Sequence, residues 1–293
     1  MFVPGERARM IEKALTLPVD ALMMDIEDGV ALSEKENARR QIAASLDAVT
    51  SRLKQDQNYK TPARYVRINA AGSDRMAEDL RSVVRPGLEG LVVPKVETVE
   101  QVRVVERELS REEHAHEMSG ESTRLLIAIE SPIGLFNAYE IAKSSPRIIG
   151  MQFGSEDFSR EMNLPFRREG EAMDLLYARS AFATACAAAR VQAVDGVWVD
   201  INNREGLRRF ALQARRLGMS GMALIHPNQI EDANAAFTPA KEEVDYARDV
   251  LAAFDAASKA GQGAVAFRGQ MLDSPVVDRA RQTIALAKAL GIA

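Results

Sequence analysis

The sequences LLIAIES at residues 125–131 and IIGMQFGSED at residues 148–157 decide the fold class. Each contains a short apolar run followed by an acid, Glu130 in the first and Asp157 in the second. Short buried strands that alternate with helical stretches are typical of α/β folds with a parallel sheet. The carboxyl ends of such strands meet at one edge of the sheet, where these folds bind their ligands. The two acids are therefore predicted to pair as a site for a divalent cation.

Six further β-rich runs continue this pattern on both sides of the pair. The full set of predicted strands covers residues 2–3, 21–26, 65–68, 91–93, 125–129, 148–153, 194–199 and 222–225. Stretches between them place apolar residues three and four positions apart, as amphipathic helices do. Eight strands alternating with helices predict an α/β fold of the closed (β/α)8 TIM-barrel type, with an open doubly wound sheet as the alternative.

The pattern changes after the eighth predicted strand. From Pro239 the sequence predicts a helix, a Gly-rich break at residues 261–263, a short apolar run, a turn, and a last helix from Pro275. Segments appended to a barrel often act as lids or as contacts with a neighbouring subunit. We therefore predict a barrel catalytic domain over residues 1–238 and a C-terminal helical lid or oligomerisation segment over residues 239–293.

Composition and charge limit the class of protein. A chain of 293 residues with 46% hydrophobic residues can bury a large core, and a barrel of roughly 250 residues forms one domain. The net charge of −4, spread over 38 basic and 42 acidic residues, indicates neither a nucleic-acid nor a membrane partner. No stretch approaches the roughly 18 apolar residues of a membrane span, and a single cysteine, Cys186, fits a reducing compartment. The sequence predicts a cytoplasmic protein.

Charged and polar residues collect at the predicted ends of five consecutive strands. In chain order they are Asp25, Glu27, Asp28, Arg67, Asn69, Lys95, Glu97, Glu130, Glu156 and Asp157. A rim so rich in acids must be neutralised, and Mg²⁺ would do so with one or two carboxylates, leaving positions for substrate oxygens. Arg67 would supply a planar cation for a carboxylate or a developing enolate.

Each of these acids also has a structural interpretation. Isolated acids at strand ends are usually helix caps or surface ion pairs, and the residues after Glu130 and Asp157 are typical of strand-to-helix turns. Agreement among five strand ends favours the functional interpretation. His226, in the sequence IHPNQ, is interpreted instead as part of a turn in which Gln229 caps the next helix, and it is left out of the chemistry.

Nine motifs, in order along the chain, carry a resemblance to a known family. They are FVPGERARMIEKAL, MMDIEDGV, YVRINA, LVVPKVET, IAIESPIG, FGSEDFS, MALIHPNQI, FTPAKEEVDYARDVL and GQMLDSPVV. In these motifs the chain resembles the citrate lyase β-subunit-like branch of the HpcH/HpaI aldolase superfamily. The resemblance implies a (β/α)8 barrel, Mg²⁺, and cleavage or formation of a carbon–carbon bond in a 3-hydroxy-3-carboxyacyl thioester. Related chains usually begin several residues earlier, with a basic residue that could meet a coenzyme A phosphate, so we expect an effect on thioester affinity.

The resemblance also implies roles for the metal-binding and substrate-binding residues. By motif position, Glu130 and Asp157 would be the Mg²⁺ ligands, and Glu130 would also contact the substrate. Arg67 would anchor the substrate.

Three further acids would carry the catalysis that the resemblance implies. Asp273, in GQMLDSP, would be the acid or base and would reach the site of a neighbouring subunit from the C-terminal segment. Glu27 and Asp28 would act through a metal-bound water. Sharing Asp273 between subunits implies a homo-oligomer, for which a trimer is the expected form.

Three functions compete at this stage. The leading hypothesis is a Mg²⁺-dependent lyase that acts on citramalyl-CoA, malyl-CoA or a citryl thioester, carried by coenzyme A or by an acyl carrier. A second is hydrolysis of a malyl thioester or a malate-synthase-like condensation, because the same enolate site with one activated water would suffice. The third is a scaffold or carrier-dependent subunit of a lyase complex, which the full set of candidate catalytic residues disfavours.

Overall fold

The computed structural model describes residues 1–165, 172–259 and 264–292. The chain divides into two compact units, Met1–Ala233 and Asn234–Ala293. The first unit therefore ends a few residues before the domain boundary predicted after Thr238. The Gly-rich break predicted at residues 261–263 lies outside the described residues.

Parallel strands form the centre of the first unit. Over the described residues they number eight, and their order in the sheet is their order in the chain. They are β1 (Phe2–Pro4), β2 (Ala21–Asp25), β3 (Ala63–Arg67), β4 (Gly90–Val93), β5 (Arg124–Ile129), β6 (Ile148–Phe153), β7 (Gln192–Asp195) and β8 (Gly221–Met222). The backbone N–H of Phe2 also donates to the carbonyl of Leu224, just beyond β8, at 2.8 Å. The first and last strands thus meet, which confirms the (β/α)8 barrel over the open sheet.

Helices follow the strands and cover the sheet. They are α1 (Ala8–Ala14), α2 (Lys35–Gln55), α3 (Asp74–Val83), α4 (Val99–Ala115), α5 (Pro132–Phe136), α6 (Ala138–Lys143), α7 (Ser155–Glu161), α8 (Leu176–Ala189), α9 (Arg204–Arg216) and α10 (Ile230–Phe237), with 3₁₀ turns at Leu32–Glu34, Met173–Leu175 and Pro227–Gln229. Helix α2 shows the packing rule, because Ala38, Ile42, Leu46 and Val49 recur on one face and are buried. Among the described helices, none combines the length and the apolar character needed to cross a bilayer.

Strand alternation aims the rim residues at the barrel axis. Met23 on β2 and Ala128 on β5 belong to one buried cluster inside the barrel. Because successive side chains of a strand point to opposite faces, Asp25 and Glu130, two positions further on, face the same interior at its carboxyl end. The register also sets Asp25 of β2 beside Arg67 of β3.

The last two strands of the barrel are shorter than predicted. The runs at residues 194–199 and 222–225 were expected to be strands, but β7 ends at Asp195 and β8 at Met222. Gly196, just beyond β7, packs so tightly that an added Cβ would lie 2.5 Å from the Ser155 side-chain oxygen. The apolar residues that follow each strand therefore lie in loops. Apolar composition alone does not determine where a strand ends.

The second unit is a helical pair with a small hairpin. Helix α11 (Lys241–Lys259) leads to the antiparallel strands β9 (Val265–Phe267) and β10 (Gln270–Leu272), and α12 (Ser274–Ala289) follows. Its own buried core comprises Ala247, Val250, Leu272, Val277 and Ala280. The predicted order of helix, apolar run, turn and helix is confirmed.

Candidate active site

Asp25 and Arg67 form a buried ion pair at the ends of β2 and β3. Arg67 donates from Nε to Oδ1 and from Nη2 to Oδ2 of Asp25, both at 2.7 Å. The backbone N–H groups of Glu27 and Gly29 donate to the same carboxylate at 2.9 Å. Four hydrogen bonds therefore satisfy Asp25, which serves to hold Arg67 in place.

Arg67 keeps one edge of its guanidinium towards the rim. Its Nη1 lies 3.4 Å from Oε2 of Glu27, and the ring of Phe2 lies 4.7 Å from its Cζ. Burial lowers the pKa of Arg67, but its hydrogen bonds and charge interactions with Asp25, and the charge of Glu27, outweigh burial and raise the pKa above its usual value. The side chain is a permanent cation, and Nη1 is the nitrogen that is not hydrogen-bonded to Asp25.

Lys95 joins the two acids that follow β2. Its Nζ donates to Oε1 of Glu27 at 2.5 Å and to Oδ2 of Asp28 at 2.7 Å. Burial raises the pKa of Glu27, against the opposing charges of Arg67 and Lys95. Burial also acts to raise the pKa of Asp28, but the hydrogen bond from Lys95 outweighs it and the pKa is lowered. Glu27 is buried, whereas Asp28 is exposed.

Glu130 is the most strongly perturbed acid of the rim. It is 6% exposed, and its Oε2 accepts a hydrogen bond from the backbone N–H of Lys95 at 3.0 Å. Burial, followed by the charge of Asp157, raises its pKa to about 7. Gly154 packs against it so closely that an added Cβ would lie 2.3 Å from Cγ of Glu130. The carboxylate is thus confined between two strands in a position where its charge is unfavourable unless a cation neutralises it.

Asp157 supplies the second carboxylate, from the first turn of α7. Its Oδ1 lies 2.6 Å from Nη1 of the exposed Arg160, one turn along the helix, and Asp157 itself is half-buried. Since the charge of Asp157 raises the pKa of Glu130, the two carboxylates lie close enough to repel each other.

The donor set fits Mg²⁺ better than metals that need an all-protein cage. Over the described residues, no group of three or more His, Cys, Asp and Glu side chains is arranged to hold a metal ion. Mg²⁺ is commonly bound by one or two carboxylates together with waters and substrate oxygens, and Glu130 with Asp157 provides that number of ligands. The repulsion between them is relieved when a divalent cation sits between.

Two further residues of the predicted rim form hydrogen bonds with residues outside this group. Asn69 is buried and donates from its side-chain amide and its backbone N–H to Oδ2 of Asp79, at 2.6 and 2.8 Å. Glu97 accepts a hydrogen bond from the hydroxyl of Ser131 at 2.6 Å. Both hydrogen bonds therefore tie the strand ends to neighbouring elements. Glu156 accepts a hydrogen bond from Ser155 at 3.4 Å.

Lys35 is a residue of the site that sequence reasoning missed. Its Nζ donates to the carbonyls of Ile26 and Glu27 at 2.6 Å and to Oδ1 of Asn69 at 3.1 Å. Burial lowers its pKa, against the charges of Asp25 and Glu27. The signal was present in the sequence, because Lys35 begins the buried stripe of α2, where a charge must find a partner.

His226 and Asp273 both act as helix caps. His226 accepts the backbone N–H of Asn228, and Gln229 completes the capping box, which confirms the turn expected there. Asp273, in the second unit, is the N-cap of α12 and accepts the backbone N–H of Val276 at 3.4 Å. Its predicted role as acid or base stays a prediction.

Comparisons with known proteins place this chain in a family. The model of the HpcH/HpaI aldolase/citrate lyase family matches residues 1–227. The chain is 41% identical over 292 residues to the citrate lyase subunit beta of Escherichia coli (strain K12), covering 100% of this chain and 93% of that protein. It is 31% identical over 293 residues to a (3S)-malyl-CoA thioesterase of Cereibacter sphaeroides (strain KD131 / KCTC 12085), covering 99% and 94%.

A solved structure of similar fold carries ligands. The protein CitE from Mycobacterium tuberculosis, in complex with magnesium, acetoacetate and coenzyme A, is 30% identical and superposes with a TM-score of 0.78. The similarity covers 98% of this chain and 96% of that one.

Proposed function

The chain belongs to the HpcH/HpaI aldolase/citrate lyase family, and we propose that it is a Mg²⁺-dependent carbon–carbon lyase. Its substrate is a 3-hydroxy-3-carboxyacyl thioester, which it cleaves into an acyl thioester and an α-keto acid. The observation that carries this proposal is the buried Glu130, whose pKa is raised to about 7 beside Asp157 at the same rim as Arg67. The magnesium, acetoacetate and coenzyme A bound to the similar CitE protein support the metal and the thioester.

The reaction requires removal of one proton and stabilisation of one enolate. Loss of the hydroxyl proton turns the C–O bond into a carbonyl, the adjacent carbon–carbon bond breaks, and its electron pair passes to the enolate of the departing thioester. The enolate carbon then takes up a proton. When bound by Glu130 and Asp157, Mg²⁺ supplies a Lewis acid and a template for the oxygens of the keto-acid half.

The side chains of the protein have separate roles in this reaction. Arg67 directs Nη1 at the rim, where a permanent planar cation stabilises charge on carboxylate and enolate oxygens. Glu27 and Asp28, both held by Lys95, keep negative charge and hydrogen-bond acceptors next to the substrate. Asp273 exchanges the proton. In this proposal the protein is a cytoplasmic homotrimer, and Asp273 acts at the site of a neighbouring subunit.

A panel of free coenzyme A thioesters tests the proposal. Purified protein is assayed with citramalyl-CoA, malyl-CoA and citryl-CoA, and two products are measured separately, the α-keto acid and the free thiol of coenzyme A. Release of the keto acid with the thioester intact supports the lyase. Release of free thiol without keto acid supports the hydrolase, the second candidate, which the similarity to a (3S)-malyl-CoA thioesterase favours. Turnover only when the acyl group is on a carrier protein would identify a carrier-dependent subunit.

A single substitution tests the assignment of Asp157 as a metal ligand. Asp157→Ala is expected to abolish Mg²⁺-dependent turnover and to weaken Mg²⁺ binding in calorimetry, with the circular dichroism spectrum unchanged. Glu161→Ala is the matched control, because Glu161 is an exposed acid on the same helix, at 4.0 Å from Arg160. Wild-type metal binding by the Asp157→Ala variant would reject Asp157 as a ligand.

A further inference from the structure

Lys95 adopts a backbone conformation that is unusual for its residue type. It follows β4 and has φ of 54°, in the left-handed region that glycine enters without strain. A lysine persists there only when its surroundings hold it, and such residues cluster at functional sites. Glycine would make this turn more easily, so the side chain must contribute something that glycine cannot.

The backbone of Lys95 contacts one side of the site. Its N–H donates to Oε2 of Glu130 at 3.0 Å, across from the end of β4 to the end of β5. A hydrogen bond to an ionised carboxylate is stronger and more directional than one between neutral groups. It leaves Glu130 little freedom to rotate, so that the orientation of this carboxylate depends on the turn at residue 95.

The side chain of Lys95 contacts the opposite side. Its ammonium lies 2.5 Å from Oε1 of Glu27 and 2.7 Å from Oδ2 of Asp28, both beyond the end of β2. Lys95 keeps about a third of its side-chain surface exposed, so it borders the open rim. One residue therefore links the acids of two strands that are not neighbours in the sheet, since β3 and β4 follow β2 before β5.

We propose that Lys95 is a positioning residue with two separable functions: its backbone N–H orients Glu130, and its ammonium fixes Glu27 and Asp28. The proposal rests on the proposed function for its kinetic part only. Lys95 holds the acids in the arrangement that the substrate meets, and its positive charge offsets their repulsion before the metal is bound.

Removing only the charge of the Lys95 side chain should have effects of opposite sign on metal binding and on turnover. The positive charge of Lys95 acts on Glu130 and disfavours a second cation there, so losing it strengthens the binding of Mg²⁺. Losing it also frees Glu27 and Asp28 from their fixed positions and slows the chemistry. A merely structural defect at the rim would instead weaken both metal binding and turnover.

Four variants isolate the contribution of the Lys95 side chain while the backbone N–H stays in place. Lys95→Met keeps the length of the side chain and removes its charge, and Lys95→Gly removes the side chain while keeping the turn and its N–H. Lys95→Arg restores a cation. Lys143→Met is the matched control, because Lys143 is an exposed lysine at the end of α6.

The measurements are Mg²⁺ titration by calorimetry, without substrate, and steady-state kinetics with the best thioester of the panel. We expect the Met and Gly variants to bind Mg²⁺ roughly threefold more tightly, to lose about 10²-fold in kcat, and to change KM little. The Arg variant should recover a large part of the lost kcat. Folding of every variant is checked by circular dichroism.

Two results would overturn the proposal. The first is weaker Mg²⁺ binding in folded Met and Gly variants, and the second is kcat equal to that of the Lys143→Met control. If the wild-type protein turns over no thioester, the proposed function fails by itself. The calorimetric comparison still decides the position of Lys95, because it needs the metal alone.

Discussion

In the proposed mechanism the guanidinium of Arg67 has two roles, one structural and one in binding the substrate. Nε and Nη2 are committed to Asp25, whereas Nη1 lies 3.4 Å from Glu27 and faces the rim. A planar fork can serve both sides at once, because its donors point in fixed and different directions. A lysine ammonium at the same position could not bind Asp25 in this way and contact the substrate at the same time.

Arg67→Lys is therefore expected to lose at least about 10²-fold in kcat/KM although the charge is kept. The measurement is steady-state kinetics with the best thioester of the panel. Arg64→Lys is the matched control on the same strand, where the side chain donates to the carbonyls of Gly87 and Pro62. The control should lower thermal stability with kcat preserved. Near-normal kinetics for the Arg67→Lys variant would make Arg67 a structural ion pair only.

Glu130 predicts how metal-free stability and metal affinity depend on pH. Its pKa is about 7 in the folded protein against an ordinary value of 4.5, so the folded state holds the proton more tightly than the unfolded state. The resulting stabilisation is complete below about pH 4.5 and is lost as the pH rises through 7, at roughly 1.4 kcal/mol per unit of pKa difference. Mg²⁺ competes with this proton, so its affinity should fall as the pH drops below 7.

Thermal melts of metal-free protein between pH 5 and 8 test this prediction. Glu130→Gln is the reference, because it cannot ionise, and the wild type should lose melting temperature relative to it as the pH rises. Calorimetry with Mg²⁺ at the same pH values measures the coupled loss of affinity. Parallel melting curves for the two proteins would show that Glu130 is already ionised throughout this range.

At the scale of the elements, strand ends and the turns beyond them set the site. Gly154 illustrates this between β6 and α7: its φ of −87° suits any residue, so its small size and not its flexibility is what the position needs. An added Cβ would lie 2.3 Å from Cγ and 2.8 Å from Oε1 of Glu130. The junction can therefore hold a carboxylate only while residue 154 has no side chain.

Gly154→Ala should displace Glu130 and weaken Mg²⁺ binding by at least about tenfold, while the barrel still folds. Gly221→Ala is the matched control, since Gly221 also lies in the barrel and nothing approaches its added Cβ within 4 Å. Metal affinity is measured by calorimetry and folding by circular dichroism. Equal affinities for the two variants would show that Glu130 can rotate away without loss of the metal.

The strands show how much of this arrangement is readable from sequence. The β-rich runs predicted the order and approximate position of β1 to β8, because buried parallel strands are nearly continuous apolar segments. The same reasoning brought together Glu27, Arg67 and Glu130, but it did not predict the hydrogen-bond partners of Asn69 and Glu97. The orientation of a polar side chain depends on partners in other elements, such as Ser131 for Glu97, and no local sequence pattern specifies them.

At the scale of the whole molecule, the candidate acid or base belongs to a different unit from the proposed metal ligands. Glu130 and Asp157 lie in the unit Met1–Ala233, and Asp273 lies in Asn234–Ala293, which has its own core. A residue on a separate unit can serve its own chain or a neighbouring copy, and closed homo-oligomers often complete sites in the second way. The two arrangements make different predictions for mixtures of inactive chains.

The proposed catalytic role of Asp273 must first be distinguished from its role as a helix cap. It is the N-cap of α12, and loss of a cap typically costs about 1 kcal/mol of stability. Asp273→Asn keeps a good N-cap but cannot exchange a proton, so it should melt like the wild type and be inactive. Asp273→Ala should be inactive and slightly less stable. Full activity in the Asp273→Asn variant would show that Asp273 acts only as a helix cap.

Mixing Asp273→Asn with Asp157→Ala then tests whether sites are shared. Each protein alone is expected to be inactive, but a mixed oligomer contains sites in which Asp157 comes from one chain and Asp273 from the other. Under conditions of subunit exchange, activity should therefore return and should rise and fall with the mixing ratio, with a maximum when both chains are abundant. Exchange is followed independently with differently labelled subunits, and each protein mixed with itself is the control. If the labelled subunits exchange while activity stays absent, Asp273 acts within its own chain, because a mixed oligomer contains no chain with both residues intact.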